Sequence, residues 1–260
     1  MMLVQIQEDE MNFIKYLFVA VAMVFGANAI AAEEVKPQLG QPVDHMHAEM
    51  TRVEKRVRNA AVKVTVPFSG GHGSGSYIKF KDLYLIITAQ HVADGPLGTN
   101  YLISANNEDK MATLIFSNVQ SDIAVLHMKV PFREVDPMKY NPVEGIADVG
   151  TNIIYSGFPS SHKLMSFVGR IAGFSTGEDG KNHLIVNTYG WVGCSGSVIY
   201  NTKGQQVGVL YGVDVEYYPT TQVQENMIWV APMSILNIKK AIGILCGGFN
   251  PLYGEPKACK

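Results

Sequence analysis

Between residues 59 and 242 the chain falls into short runs of apolar residues separated by Gly, Asn, Asp and Pro. This is the pattern of strands rather than helices. The runs predict six strands at 60–68, 75–80, 83–88, 99–105, 111–117 and 123–130. A stretch rich in Pro and charge with little periodicity, 131–150, follows as a linker. A second series predicts strands at 152–158, 164–174, 184–188, 197–200, 207–213 and 227–230. Asn201-Thr-Lys-Gly204 has the residues of a hairpin turn, with Gly204 free to take a positive φ. Helical spacing occurs only at the two flanks. Met46, Met50, Val53 and Val57 predict an amphipathic helix over 44–58, and Ile235, Ile238 and Ala241 or Ile242 predict one over 232–242, with Pro232 in its first turn. The expected fold is therefore all-β. Two six-stranded antiparallel barrels, about 59–130 and 151–231, compete with a single larger sandwich, and periodicity alone does not separate them.

The N-terminal segment has a different character. Met11-Asn-Phe-Ile-Lys15 is short and basic, 16–25 is apolar, and Ala27, Ala29, Ala31 and Ala32 precede Glu33-Glu34. That order describes a secretory signal peptide over residues 1–32, cleaved after Ala29, Ala31 or Ala32, with Met11 as the expected start. An uncleaved anchor is the alternative, although the apolar run is short for a bilayer. Residues 33–58 form an N-terminal extension and 243–260 a C-terminal tail. With 47% hydrophobic and 17% charged residues, the rest is expected to be globular and not inserted in a membrane.

Charge excludes one class of partner. The formal net charge is −2, with 21 basic and 23 acidic residues spread without long runs. Nucleic-acid binding calls for a concentrated basic face, so it is not expected. His45 and His47 have no third ligand, and Cys194, Cys246 and Cys259 match no zinc spacing, so no metal site is expected. In an oxidising compartment Cys246 and Cys259 can close a small loop and leave Cys194 free.

Three segments carry candidate chemistry. Leu85-Ile-Ile-Thr-Ala-Gln-His91 is an apolar strand running into a histidine, Ser121-Asp122-Ile-Ala-Val-Leu126 opens an apolar strand with an aspartate, and Gly193-Cys194-Ser195-Gly196-Ser197 sets a serine in a glycine turn. A serine hydroxyl needs an imidazole to take its proton, and the imidazole needs a carboxylate to fix its tautomer. The developing oxyanion needs fixed donors, which backbone N–H groups in such a turn supply. His91 is thus the candidate base, Asp122 its orienting acid and Ser195 the nucleophile, with Gly193 and Ser195 N–H as the oxyanion hole. Asp82 and Asp94 sit in turn-like contexts and rank below Asp122. Cys194 is expected to pack behind the turn, and His72 and His127 to be solvated or structural.

These three blocks resemble the signatures of trypsin-like serine proteases. Gly71-His-Gly-Ser-Gly-Ser-Tyr-Ile78 and the compact spacing are most similar to bacterial HtrA-like and glutamyl-endopeptidase-like members. The resemblance covers roughly 59–242. It implies two six-stranded barrels with the catalytic residues between them, a protein or peptide substrate and no cofactor, while a PDZ domain is not expected because only eighteen residues follow Ile242. It also implies a primary pocket with Tyr189 at its base and Tyr211, Gly212 and Val213 on one wall, suited to a neutral, apolar or small side chain. Cys194 stands where many relatives carry Asp or Asn, which argues against activation by a freshly cut N-terminus. Ser197 replaces a commoner glycine. Two other readings stay in view: a silent copy of the fold that grips a partner protein, and an α/β-hydrolase esterase, whose Ser–Asp–His order and alternating helices are absent.

Overall fold

The computed structural model describes residues 49–67, 70–217, 219–246 and 256–259. The segment read as a signal peptide, and the first part of the expected 44–58 helix, lie outside them. The first described element is α1 (Arg52–Asn59), opened by Thr51. Thr51 Oγ1 accepts the Glu54 N–H at 3.2 Å, and Glu54 returns a carboxylate to the Thr51 N–H at 2.6 Å. This reciprocal cap sets the helix start.

The first barrel contains β1 (Ala61–Thr65), β2 (His72–Phe80), β3 (Leu83–Thr88), β4 (Asn100–Ala105), β5 (Glu108–Asn118) and β6 (Ile123–Met128). Its order is β1-β4-β5-β6-β3-β2, and the β1–β2 pairing closes it. A two-residue strand, β7 (Met138–Lys139), pairs parallel with β2 inside the expected linker. Two residues are too few to show a period, so no pattern marked it. The second barrel is β8 (Asn152–Gly157), β9 (Met165–Thr176), β10 (Asn182–Asn187), β11 (Val198–Asn201), β12 (Gln206–Glu216) and β13 (Gln222–Pro232), closed in the order β10-β13-β12-β11-β8-β9. All twelve expected strands are present, and two barrels replace the sandwich alternative.

β3 and β6 are apolar at nearly every position because both of their faces are covered. Ile86 of β3 and Ala124, Leu126 and Met128 of β6 fill the first barrel. Their neighbours Leu85, Ile87, Ile123 and Val125 face outward and meet Ile154, Val198, Tyr200 and Val209 of the second barrel. A strand buried on both faces reads as a continuous apolar run. Such strands are held on both faces, and they lead into His91 and out of Asp122.

The expected helix over 232–242 is corrected by the structure. Pro232 ends β13, paired with Gly208, and a 3-10 turn (Met233–Ile235) follows. The helix begins only at α2 (Ile238–Ala241), where the Asn237 side chain accepts the Lys240 N–H at 3.0 Å. Asn favours a cap over a helix interior, so Asn237 divides the apolar run into two pieces. A further turn, α3 (Gly243–Cys246), ends at a disulfide between Cys246 and Cys259. The tail it secures docks on the β2–β3 turn, where Asp82 accepts the N–H groups of Lys257 and Ala258, each at 2.9 Å. Closing a loop of 13 residues is worth about 3 kcal/mol. Reduction, or the paired change C246S/C259S, is therefore expected to lower the melting temperature by roughly 6–12 °C. Calorimetry with and without reductant checks it; an unchanged transition would contradict it.

Candidate active site

His91 stands in a single 3-10 turn (Gln90–Val92) directly after β3, and Asp122 in the turn that enters β6. The register brings them together, since Thr88 pairs with Ala124. Asp122 Oδ2 lies 2.6 Å from His91 Nδ1, and Oδ1 accepts the His91 backbone N–H at 2.9 Å. One carboxylate thus holds both the ring and the chain that carries it. Because a carboxylate only accepts, Nδ1 is the protonated nitrogen, which leaves Nε2 of the neutral ring as a bare acceptor. The His91 side chain is 47% exposed, so that nitrogen is open to a substrate. Asp122 takes φ +50 to make this grip.

Ser195 is carried by the turn between β10 and β11. Its carbonyl accepts the Ser74 N–H at 2.8 Å, which anchors the turn to β2. Gly196, at φ +90, approaches the end of β3 so closely that a Cβ would overlap Ser74 O and Thr88 Oγ1 and sit 2.9 Å from Ala89 N. The serine turn is therefore seated on the strand that ends three residues before His91. Among the described residues the Ser195 hydroxyl makes no hydrogen bond. Base–nucleophile bonds often tighten only when substrate binds.

The direction of the two N–H groups follows from peptide planarity. A trans peptide points its C=O and N–H opposite ways. The Val192 carbonyl accepts the Ser160 N–H at 2.7 Å, so the Gly193 N–H faces away from that turn. The Cys194 carbonyl accepts the Ser197 N–H at 3.0 Å, which turns the Ser195 N–H outward as well. Neither N–H donates to a described residue. Gly193 has φ +93, and a Cβ there would meet His72 Nε2 at 3.0 Å and Ser160 N at 3.1 Å.

Two residues of β2 that carried no assigned role turn out to brace this loop. Ser74, fully buried, donates its hydroxyl to Gly193 O at 2.7 Å and accepts the Phe158 N–H at 2.9 Å. His72 Nε2 donates to Phe158 O at 2.9 Å, and burial, ahead of the charge of Lys63, lowers its pKa. His72 is therefore not simply a solvated residue. The Gly-Ser-Gly sequence of 73–75 was the available signal, but its partners lie 84 and 119 residues away.

The other expected site residues divide. Tyr189 is 38% exposed, with its ring stacked on Phe167 at 5.3 Å and its carbonyl held by the Tyr155 hydroxyl. Beside it, a Cβ on Gly190 would press against Ile228 and lie 3.4 Å from Val213. Gly212 and Val213 pair with Trp229 and Ile228 across a bulge. The Tyr211 hydroxyl is 2.9 Å from His183 Nδ1, and its ring packs on the clusters within and beside the first barrel. Cys194 is fully buried with its thiol 3.8 Å from the Tyr155 hydroxyl, and burial raises its pKa. Asp82 is engaged with the tail rather than with His91. His127 is half-buried in β6, and burial lowers its pKa. A cavity of about 580 Å³ lined by Lys79, Lys81, Asp82, Tyr84 and Lys257 lies at the opposite end of β3, away from His91, Asp122 and Ser195.

Residues 73–209, more than half of the chain and including His91, Asp122 and Ser195, match the trypsin-like peptidase domain model. The chain belongs to the trypsin-like peptidase family. Solved structures agree with this peptidase in fold. A mutant of Rv3671c from M. tuberculosis in an inactive form superposes with a TM-score of 0.59 at 16% identity, covering 76% of this chain and 93% of that one. The HtrA-type protease AlgW with a tripeptide gives 0.60 at 17% identity, covering 73% and 62%. A serine endoprotease from Yersinia pestis gives 0.58 at 20% identity, covering 76% and 68%. No curated protein matches the peptidase in sequence.

Proposed function

We propose that this peptidase is an exported serine endopeptidase in which Ser195, His91 and Asp122 form the catalytic triad. The observation that carries the reading is the double grip of Asp122 on His91, which leaves Nε2 free on a ring that faces solvent. In the reaction His91 Nε2 takes the Ser195 proton as Oγ adds to the scissile carbonyl. The oxyanion of the tetrahedral intermediate is held by the Gly193 and Ser195 N–H groups. His91 then gives that proton to the leaving amine as the peptide bond breaks, and the acyl-enzyme is hydrolysed by water activated in the same way. Asp122 stabilises the imidazolium throughout.

The apolar surroundings of Tyr189, Val213 and Ile228 support a small or apolar residue on the acyl side of the cleaved bond. Export is supported by the character of residues 11–34 and by the Cys246–Cys259 disulfide, a bond of oxidising compartments. Among the described residues no helix is long and apolar enough to cross a membrane.

The reading is tested with purified protein, casein and a fluorophosphonate probe. Hydrolysis together with stoichiometric labelling is the expected result; silence in both would favour a protein that only binds. The brace gives a finer expectation. Ser74→Ala frees the Gly193 carbonyl, and misplacing one oxyanion donor is expected to lower kcat about tenfold to a hundredfold while KM stays near its original value. An equal rise in KM with kcat preserved would remove Ser74 from this role.

A further inference from the structure

One buried histidine has no part in the reaction described above. His183, on β10 of the second barrel, is 1% exposed. Its Nε2 lies 3.1 Å from Asp179 Oδ1 and its Nδ1 2.9 Å from the Tyr211 hydroxyl. Since the carboxylate accepts, Nε2 carries the hydrogen, and Nδ1 of the neutral ring accepts the Tyr211 O–H. Asp179 Oδ1 also accepts the Lys181 N–H at 2.9 Å. Its other oxygen crosses to the first barrel and accepts the Ser121 hydroxyl at 2.7 Å.

Ser121 is the residue immediately before Asp122. It is 1% exposed, and its turn is closed by Asn118, which contacts the Ser121 N–H and hydroxyl at 3.3 Å each. Asp122 itself sits at φ +50, a left-handed conformation uncommon outside glycine although Asp and Asn adopt it more readily than other residues. Burial raises the pKa of the Tyr211 hydroxyl, and the charges of Asp122, Glu178 and Asp179 raise it further, so the phenol stands in the field of the triad carboxylate.

A buried polar network adds little net stability, because desolvation of its groups offsets their attraction. What this network supplies is a directional link between the two barrels at the residue before Asp122, apart from the Ser74 and His72 contacts that brace the serine turn. We propose that Asp179, His183 and Tyr211 of the second barrel, acting through Ser121, are positioning residues that lock Asp122 in its left-handed conformation beside His91. The closure of the two barrels on each other is thereby coupled to the orientation of the catalytic base. The inference rests on the role proposed for Asp122.

Kinetics on a fluorogenic peptide test it with four variants of the full-length protein. Ser121→Ala and Asp179→Asn are each expected to lower kcat about tenfold to a hundredfold, with KM within about twofold of the parent. Ser121→Thr, which keeps the hydroxyl, restores most of the rate. The double change Ser121→Ala/Asp179→Asn costs no more than the worse single one, as expected for residues acting as one unit. Should Asp179→Asn fail to fold, Tyr211→Phe carries the same expectation, because it keeps the ring and removes only the hydroxyl. Folded variants that melt lower but retain kcat, or lose activity through KM alone, would overturn the proposal. Asp122→Asn measured alongside separates the two ideas: a collapse there with Ser121→Ala and Asp179→Asn unaffected leaves Asp122 as the orienting acid and removes only the clasp.

Discussion

Ser195→Ala is expected to reduce turnover by about six orders of magnitude and to abolish labelling by a fluorophosphonate. The size of the effect reflects what the hydroxyl does. Without it there is no covalent intermediate, and His91, Asp122 and the two N–H groups are left with no nucleophile to act on. A residual rate above water remains, because the oxyanion donors and the binding surface persist. Folding should be untouched: the Ser195 hydroxyl makes no hydrogen bond among the described residues, whereas the anchoring contact, Ser74 N–H to Ser195 O at 2.8 Å, is made by the backbone. The thermal transition should therefore match the parent while casein hydrolysis is lost. Full labelling retained in the variant would remove Ser195 from its role.

Asp122→Asn is the second large effect and a cleaner chemical test. Asn tolerates the left-handed conformation about as well as Asp, so φ +50 is kept without added strain. Its carboxamide can still accept the His91 backbone N–H. If its NH2 group faces His91 Nδ1, that nitrogen becomes the acceptor and the hydrogen moves to Nε2, where the proton of Ser195 must go. A loss of about 10⁴-fold in kcat is expected from the wrong tautomer alone, with little change in KM. Asp122→Ala would mix this loss with the cost of a left-handed alanine, about 1–2 kcal/mol, and is the poorer experiment. Asp122→Asn within tenfold of the parent rate would show that another group orients His91.

The chain announced its fold and its candidate reactive groups because both depend on short-range pattern. β3 and β6 read as continuous apolar runs since each is covered on both faces, and the residues at their ends, His91 and Asp122, stand out as polar groups on rigid supports. Gly193 and Gly196 flank Ser195 because the backbone there must take φ +93 and +90. Their presence in the sequence is the direct trace of that geometry. The C-terminal run misled for a related reason: its helical spacing was real, but Asn237 offered a cap in mid-run, and the chain took it.

What only the tertiary structure decided is which distant polar groups meet. Ser74 reaches Gly193 across 119 residues of chain, and Ser121 reaches Asp179 across 58. Tyr211 meets His183 across 28 residues of chain, a contact that its place beside Gly212 and Val213 did not announce. A single hydroxyl or imidazole has no period and no local signature. Its role is set by the closure of two barrels, which brings together strands that share no neighbourhood in the sequence, and a buried polar group then takes whichever partner that closure places within hydrogen-bonding distance.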